Sequence, residues 1–433
     1  MTLKKDRYLR MKRKLLFGER MLLGDGTEPF NAVIPFRLRG TFKEEDIQYA
    51  LNQLQGKHPW LRAVIHHDEQ NIPWFEVPER NLPIPIRTVS RNGEDHWQKE
   101  SEREWQTLFQ YGERPLIRFV WIKGEEVSDM LFAFHHCLCD GGSAMAFLYE
   151  FLKILDNPSA EIGVEHPILG IQDVVPSEIL TNRKQKLKAK LIGRLAATAI
   201  KCIPVGKKAV ERKNDYLIHW KFDKALSQEL ISYCKSMEVT VNTFLSAAVL
   251  QAFKKIRGES AFNKVSCPVD IRRFAKQIKE DHIFAFGLMI VVSANHKMSF
   301  SENLRLMQES VERKTSKLNP YITMMVMESA HDALKNFTKL LKHGKSSNDC
   351  MFSNLGRIQI PHQYKEFTLD TIFSPSVIGP LGNTTTMVTS TFRGEMDFSF
   401  VGSEGYLPYA EALAIRDEVI QTVKLQLDHI AVL

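Results

Sequence analysis

Eight consecutive residues concentrate the reactive side chains of this sequence: His135-His136-Cys137-Leu138-Cys139-Asp140-Gly141-Gly142. Two imidazoles, two thiols and a carboxylate precede a pair of glycines. Three chemistries suit such a set. Histidine and cysteine are both zinc ligands. A cysteine beside a histidine can form a nucleophilic thiolate pair. A single histidine, titrating near neutral pH, can act as a general base toward an alcohol or an amine.

Spacing weighs the three. Adjacent residues of an extended chain point to opposite faces, so His135 and His136 do not readily share one ion. No CxxC or HxxxH spacing elsewhere completes a metal set, and no metal is expected. Cysteine–histidine dyads usually join residues distant in sequence, and Cys137 and Cys139 also read as small buried apolar residues. The histidine reading needs only a strand that ends in a loop, with one ring aimed into a cleft and its neighbour packed inward. Asp140 does not easily reach the same imidazole from a tight turn; it is expected to pin the loop through a cation elsewhere. Gly141 and Gly142 permit backbone angles that start a helix close by. The other pair, His66-His67 in "VIHHDEQ", lacks the glycine turn and reads as a strand end.

The elements that must position the motif follow from periodicity. "GEEVSDMLFAFHH" reads as a turn followed by a buried strand. "GSAMAFLYEFLKIL" reads as a largely buried helix, because Ala144, Phe147, Leu148, Phe151, Leu152 and Leu155 cover most of its surface. The motif is therefore a strand-to-helix junction. Upstream, "NAVIPFRLRG", "WLRAVIHH", "IPIRTVS" and "PLIRFVWIKG" read as strands, with a helix over "KEEDIQYALNQLQGK". Residues 156–214 read as a connector, after which strands and helices restart and run to a closing helix over "YAEALAIRDEVIQTVKLQLDHI". Thr240 is a candidate N-cap, and Ser299 with Glu302 a capping box. The Met-rich "ITMMVMES" at 322–329 reads as core. The division expected is 1–180, a basic connector 181–214, and 215–433, giving two α/β sandwich halves.

Composition bounds the function. The chain has 433 residues, 44% hydrophobic and 25% charged, which is ordinary globular usage. The formal net charge of +7 gathers in "KKDRYLRMKRK" near the N-terminus and in 183–213. Each cluster reads as a solvated helix or linker, or else as a docking surface for an anionic partner. Peripheral membrane contact through 183–213 is one such expectation. No zinc-finger spacing or RNP signature points to nucleic acid. Six cysteines without framework spacing fit a reduced, cytoplasmic setting. No run approaches the roughly 18 apolar residues of a membrane span.

The motif "HHCLCDG" resembles the HHxxxDG signature of the acyltransferase superfamily typified by chloramphenicol acetyltransferase, which includes condensation domains, alcohol acetyltransferases and wax ester synthases. "HPWLR" at 58–62 is similar to that superfamily's HPxLR, and "RPLIRF" at 114–119 to the strand before the signature. "VTVNTFLSAAVLQAF" and "CPVDIRR…FAFGLMIVV" are similar to segments of its second subdomain, and "SNLG" at 353–356 recurs in its alcohol-acetyltransferase-like members. The chain departs from the pattern after Gly287, where "LMIVV" replaces Phe-Val-Asn, and it has no DFGWG motif.

The resemblance implies two chloramphenicol-acetyltransferase-like α/β subdomains in a pseudo-dimeric V around a central tunnel. It implies His136 as general base, His135 as its support, and Asp140 paired with a cation, for which Arg272 best fits. Gly141 would allow the turn, and Ser390, Ser353 and Asn354 are candidates for the oxyanion or tunnel. The activity implied is transfer of an acyl group from acyl-CoA or a phosphopantetheine-linked acyl carrier protein to a hydroxyl or amine, with no tightly bound cofactor. Its alternatives are a free-standing amide-forming condensation enzyme and a non-catalytic binding scaffold of the same fold.

Overall fold

The apolar run ahead of the histidines becomes the middle of a sheet. The computed structural model describes residues 11–164, 167–203, 212–343, 347–379 and 385–428. In it Val127–His135 lies between Asn31–Arg39 and Ile117–Lys123, antiparallel to both, and Ile86–Ser90 joins parallel at one edge. Both faces of Val127–His135 are covered, which explains its continuous hydrophobicity. Phe132 and Phe134 pack on Phe147 of the helix Gly141–Asp156, with ring centroids at 5.0 and 6.1 Å. Leu131 and Ala133 face the other way, into a cluster shared with Leu217 and Val401 of the second half.

The second half builds its own sheet. Its strands run in the order Leu288–Ser293, Lys264–Val269, Cys350–Arg357, Thr386–Phe392, Glu395–Ser403 and Asp215–Phe222. Helices Lys224–Ser236, Val241–Arg257 and Tyr409–Asp428 pack over one face around a separate apolar core. Thr240 caps the second of these by accepting from the Thr243 N–H, and Ser299 and Glu302 form their capping box on Phe300–Ser316. The molecule is thus two α/β subdomains, each with its own sheet.

Two strands of the second half join the sheet of the first. Thr368–Ile372 and Ser376–Ile378 leave the second half and pair with Asn31–Arg39, extending the first sheet. Strand alternation reveals that a segment is a strand but not which sheet it joins. Between the sheets, Trp97 stacks on Phe373 at 4.1 Å and meets His219 edge-on. Trp97 lies on the helix His96–Gln106, which the periodicity reading passed over.

Two local expectations change. "WLRAVIHH" is a strand only from Val64, because Pro59–Arg62 forms a 3-10 turn. The N-terminal basic cluster is not simply solvated. Lys12–Lys14 pairs with Pro73–Glu76, and Arg13 is buried in a two-pronged ion pair with Glu19, at 2.6 and 2.7 Å; residues 1–10 lie outside the described residues. The basic connector contains a 20-residue helix, Arg183–Cys202, and residues 204–211 lie outside the described residues. The Met-rich segment is the helix Pro320–Glu328, and its Met324 and Met325 are buried. Among the described residues, no helix is long and apolar enough to cross a membrane.

Candidate active site

At the end of the central strand the two imidazoles part. His135 is 0% exposed, whereas His136 is partly exposed between buried neighbours. Each ring is held in a defined tautomer. The Cys137 backbone N–H donates to His135 Nδ1 at 3.2 Å, so the proton of a neutral His135 sits on Nε2, which faces Tyr111 Oη at 3.1 Å. His136 Nδ1 lies 3.1 Å from the Cys139 carbonyl oxygen. A carbonyl only accepts, so this Nδ1 carries the proton and Nε2 keeps the lone pair. Phe30 holds the ring edge-on at 5.4 Å, and its own carbonyl accepts from the His136 N–H.

Electrostatics keep both rings neutral. Burial pushes His135 down to about 3, aided by the neighbouring His136 and by Arg118. Burial also lowers His136, against the raising effects of the Cys139 carbonyl and of Asp140. An imidazole that has to act unprotonated here would give a kcat/KM that rises with pH through a midpoint below 6.5 and then levels off. A pH–rate profile checks this, and a midpoint above 6.5 would contradict it. His135 has a consequence for stability. The unfolded chain takes up a proton near 6.5 that the folded chain refuses down to about 3. Stability should therefore fall as pH drops through that window, by a few kcal/mol at most (about 1.4 kcal/mol per unit). Denaturant melts at pH 7 and pH 5 measure the loss, which should shrink in His135→Gln.

The loop that carries His136 is fixed by Asp140. Its carboxylate caps the helix Gly141–Asp156, accepting from the Ser143 N–H at 2.9 Å. Its other oxygen accepts from Arg272 Nη1 at 2.8 Å. Arg272 Nη2 donates to Ser143 Oγ at 2.8 Å, and the guanidinium lies over the Phe284 ring. The Asp140 N–H donates to the Phe284 carbonyl at 3.1 Å, and Ser143 Oγ lies 2.8 Å from the His282 carbonyl. The segment from Arg272 to Phe284 thereby latches the second half onto the histidine loop. Asp281 extends the latch to Lys57 at 2.9 Å, and His58 of "HPWLR" is buried against Glu150 at 2.5 Å.

The expected unusual turn is absent, and Gly142 has the tighter space, against a guanidinium held by Asp140. Gly141 and Gly142 are the first two residues of the helix, without positive φ. A Cβ on Gly141 would sit 2.9 Å from Leu355 Cδ2, and one on Gly142 would sit 2.9 Å from Arg272 Nη1. Ser390 is elsewhere engaged: it is buried, and its Oγ meets Ser374 Oγ at 2.9 Å. Ser353 is partly exposed within the strand Cys350–Arg357, while Asn354 accepts from the Gly356 N–H at 2.8 Å and lines a cleft of about 500 Å³ with Gly356 and Arg357. Leu355, between them in the strand, is the residue against Gly141 and does not line this cleft, whose other walls include Lys224, Gln228 and Val241. Cys137 and Cys139 are fully buried, and desolvation raises both thiols well above their usual range, which disfavours a thiolate nucleophile.

Ser143, Phe30, Tyr111 and the His282 and Phe284 carbonyls complete the arrangement. The sequence carries one signal for them: Ser143 stands three residues after Asp140, the spacing of a capping contact. The others come from remote segments.

A family model described as the condensation domain matches residues 20–344. The chain belongs to the condensation domain family. Among curated relatives, surfactin synthase subunit 1 of Bacillus subtilis (strain 168) is 22% identical over 304 residues, covering 66% of this chain and 8% of that protein. Cyclosporin synthetase simA of Tolypocladium inflatum is 25% identical over 229 residues, covering 51% of this chain and 2% of that protein. The chain thus spans under a tenth of the curated relatives it matches. Among solved structures, TRI3 trichothecene 15-O-acetyltransferase from Fusarium sporotrichioides aligns with a TM-score of 0.73 at 13% identity, over 96% of this chain and 95% of that one. The first condensation domain of the CDA synthetase aligns with a TM-score of 0.69 at 12% identity, over 95% of both chains. At these identities the likeness is one of fold, that of condensation and acyltransferase domains. Membership in the condensation domain family carries acyl transfer as the general chemistry.

Proposed function

We propose that this condensation domain moves an acyl group directly from a thioester to a hydroxyl or amine, with His136 as general base and no acyl-enzyme. The observation that carries this reading is the His136 ring. It is partly exposed, neutral, and locked with Nδ1 on the Cys139 carbonyl so that Nε2 keeps its lone pair. Nε2 takes the acceptor's proton as its oxygen or nitrogen attacks the thioester carbonyl. The carbon–sulfur bond then breaks, and the imidazolium returns the proton to the departing thiolate. Base catalysis of this kind is worth about 10²–10⁴-fold, and holding two substrates together supplies more.

The donor is acyl-CoA or acyl-carrier phosphopantetheine, bound as substrate. A carrier-bound donor and an amide product are the second reading, favoured by the synthases among the curated relatives. Thiol release from matched acyl-CoA and acyl carrier protein, with alcohol and amine acceptors, tests both. Release on acceptor addition with either donor supports acyl transfer, and the faster donor selects the reading. Release with neither would favour a binding scaffold.

A further inference from the structure

The basic helix Arg183–Cys202 takes no part in the histidine site, and its geometry is unusual for a surface helix. It docks through small residues: Ala189, Gly193 and Ala197 are its buried positions. A Cβ on Gly193 would lie 2.7 Å from the Val326 carbonyl oxygen and 2.8 Å from Ser329 Cβ, so the backbone rests directly on the helix Pro320–Glu328 and its end. That close approach fixes how the helix is rotated. Leu187, Leu191 and Leu195 each stand two residues before a buried position, which is about 200° around the helix. They point straight outward, at 68%, 60% and 62% exposure. Ile192 and Ile203 are exposed as well.

A helix that only covered the protein would turn its leucines inward and its alanines outward. This one is inverted, with its apolar stripe facing away from the core. The stripe lies in a sequence, RKQKLKAKLIGRLAATAIKC, with seven basic residues and no acidic one. Lys184 and Lys188 lie close to the leucine row, and Arg194 borders its other side. Long cationic side chains beside an apolar strip suit a bilayer interface: the leucines enter the acyl boundary while the ammonium groups reach back to headgroup phosphates.

We propose that Arg183–Cys202 is a membrane-surface helix that seats the protein on an anionic bilayer, lying in the interface without crossing it. The charge together with the exposed leucine row selects this occupant. A purely apolar partner leaves the cations unmatched, and a second copy of the same face brings like charges together. The proposal stands apart from the acyl-transfer reading, because adsorption needs no acyl substrate.

Flotation of the full-length protein on vesicles tests it, with phosphatidylcholine alone compared with phosphatidylcholine containing phosphatidylglycerol. The wild type should float with the anionic vesicles at least tenfold more than with the neutral ones. The triple variant Leu187→Ser, Leu191→Ser, Leu195→Ser should lose at least tenfold of that binding with its thermal midpoint unchanged, since none of the three is buried. Lys184→Glu with Lys188→Glu, which leaves every leucine in place, should lose a similar share and show a flatter salt dependence. Equal binding by wild type and triple variant would overturn the proposal. So would equal affinity for neutral vesicles, or a solution dimer of the wild type that the leucine variant dissolves.

Discussion

His136→Ala should lower the rate of acyl transfer by about 10²–10⁴-fold while leaving the thermal midpoint nearly unchanged. The rate effect follows from the tautomer. Nδ1 is committed to the Cys139 carbonyl, so Nε2 is the side-chain nitrogen left to accept a proton at this position. The small stability effect follows from burial. His136 is partly exposed, and its side-chain hydrogen bond ends on a carbonyl that a water molecule can serve instead. His135 should behave in the opposite way. Its ring is fully buried between Tyr111 and the Cys137 N–H, so His135→Ala should destabilise by about 2–4 kcal/mol, through the cavity and the donor left unpaired. Thermal melts and single-turnover rates on the two variants separate a base from its support. Two neighbours of identical chemistry thus diverge because the ring that ends the strand is packed and the next is partly exposed.

Asp140→Ala should cost about 4 kcal/mol in stability, and should slow transfer by displacing the histidine loop. Two contributions add. Removing a capping side chain costs about 1 kcal/mol. Leaving Arg272 mostly buried without its carboxylate costs more, toward the lower end of the 3–5 kcal/mol typical of breaking a buried pair, since Asp140 is partly exposed. Arg272→Ala should cost less than Asp140→Ala, because Asp140 keeps its bonds to Ser143. The double variant should be about as stable as Asp140→Ala alone, a coupling of at least 1 kcal/mol on a double-mutant cycle. Additive losses would mean that the ion pair does not hold the loop. The pair also joins the two halves, so its loss should raise hydrogen exchange in both the histidine loop and the segment 272–284.

Much of this was legible in the sequence, for identifiable reasons. Val127–His135 is buried on both faces, so its apolar run reads as a central strand. Gly141–Asp156 is buried nearly all round, so its composition reads as a core helix. The junction between them, and the Asp140–Arg272 contact, followed from the motif and the resemblance it carries. What stayed hidden is long-range. Thr368–Ile372 alternates like any strand, but nothing in its residues says that it crosses to the other sheet. Gly142 reads as backbone freedom, whereas its cause is a guanidinium from 130 positions away. Ser390 looked available as a polar residue on a late strand, and only its neighbour Ser374 shows that its hydroxyl is engaged. Trp97 was missed because its helix is short and charged, and its ring faces the other half.

The measurement that bears most directly on the central claim is mass spectrometry of products from a panel of acyl-CoA and acyl-carrier donors mixed with candidate alcohols and amines, run in parallel with wild type and His136→Ala. An ester or amide should accumulate with the wild type and fall at least a hundredfold with the variant. The same product at the same rate from both proteins, or none from the wild type across the panel, would contradict that claim.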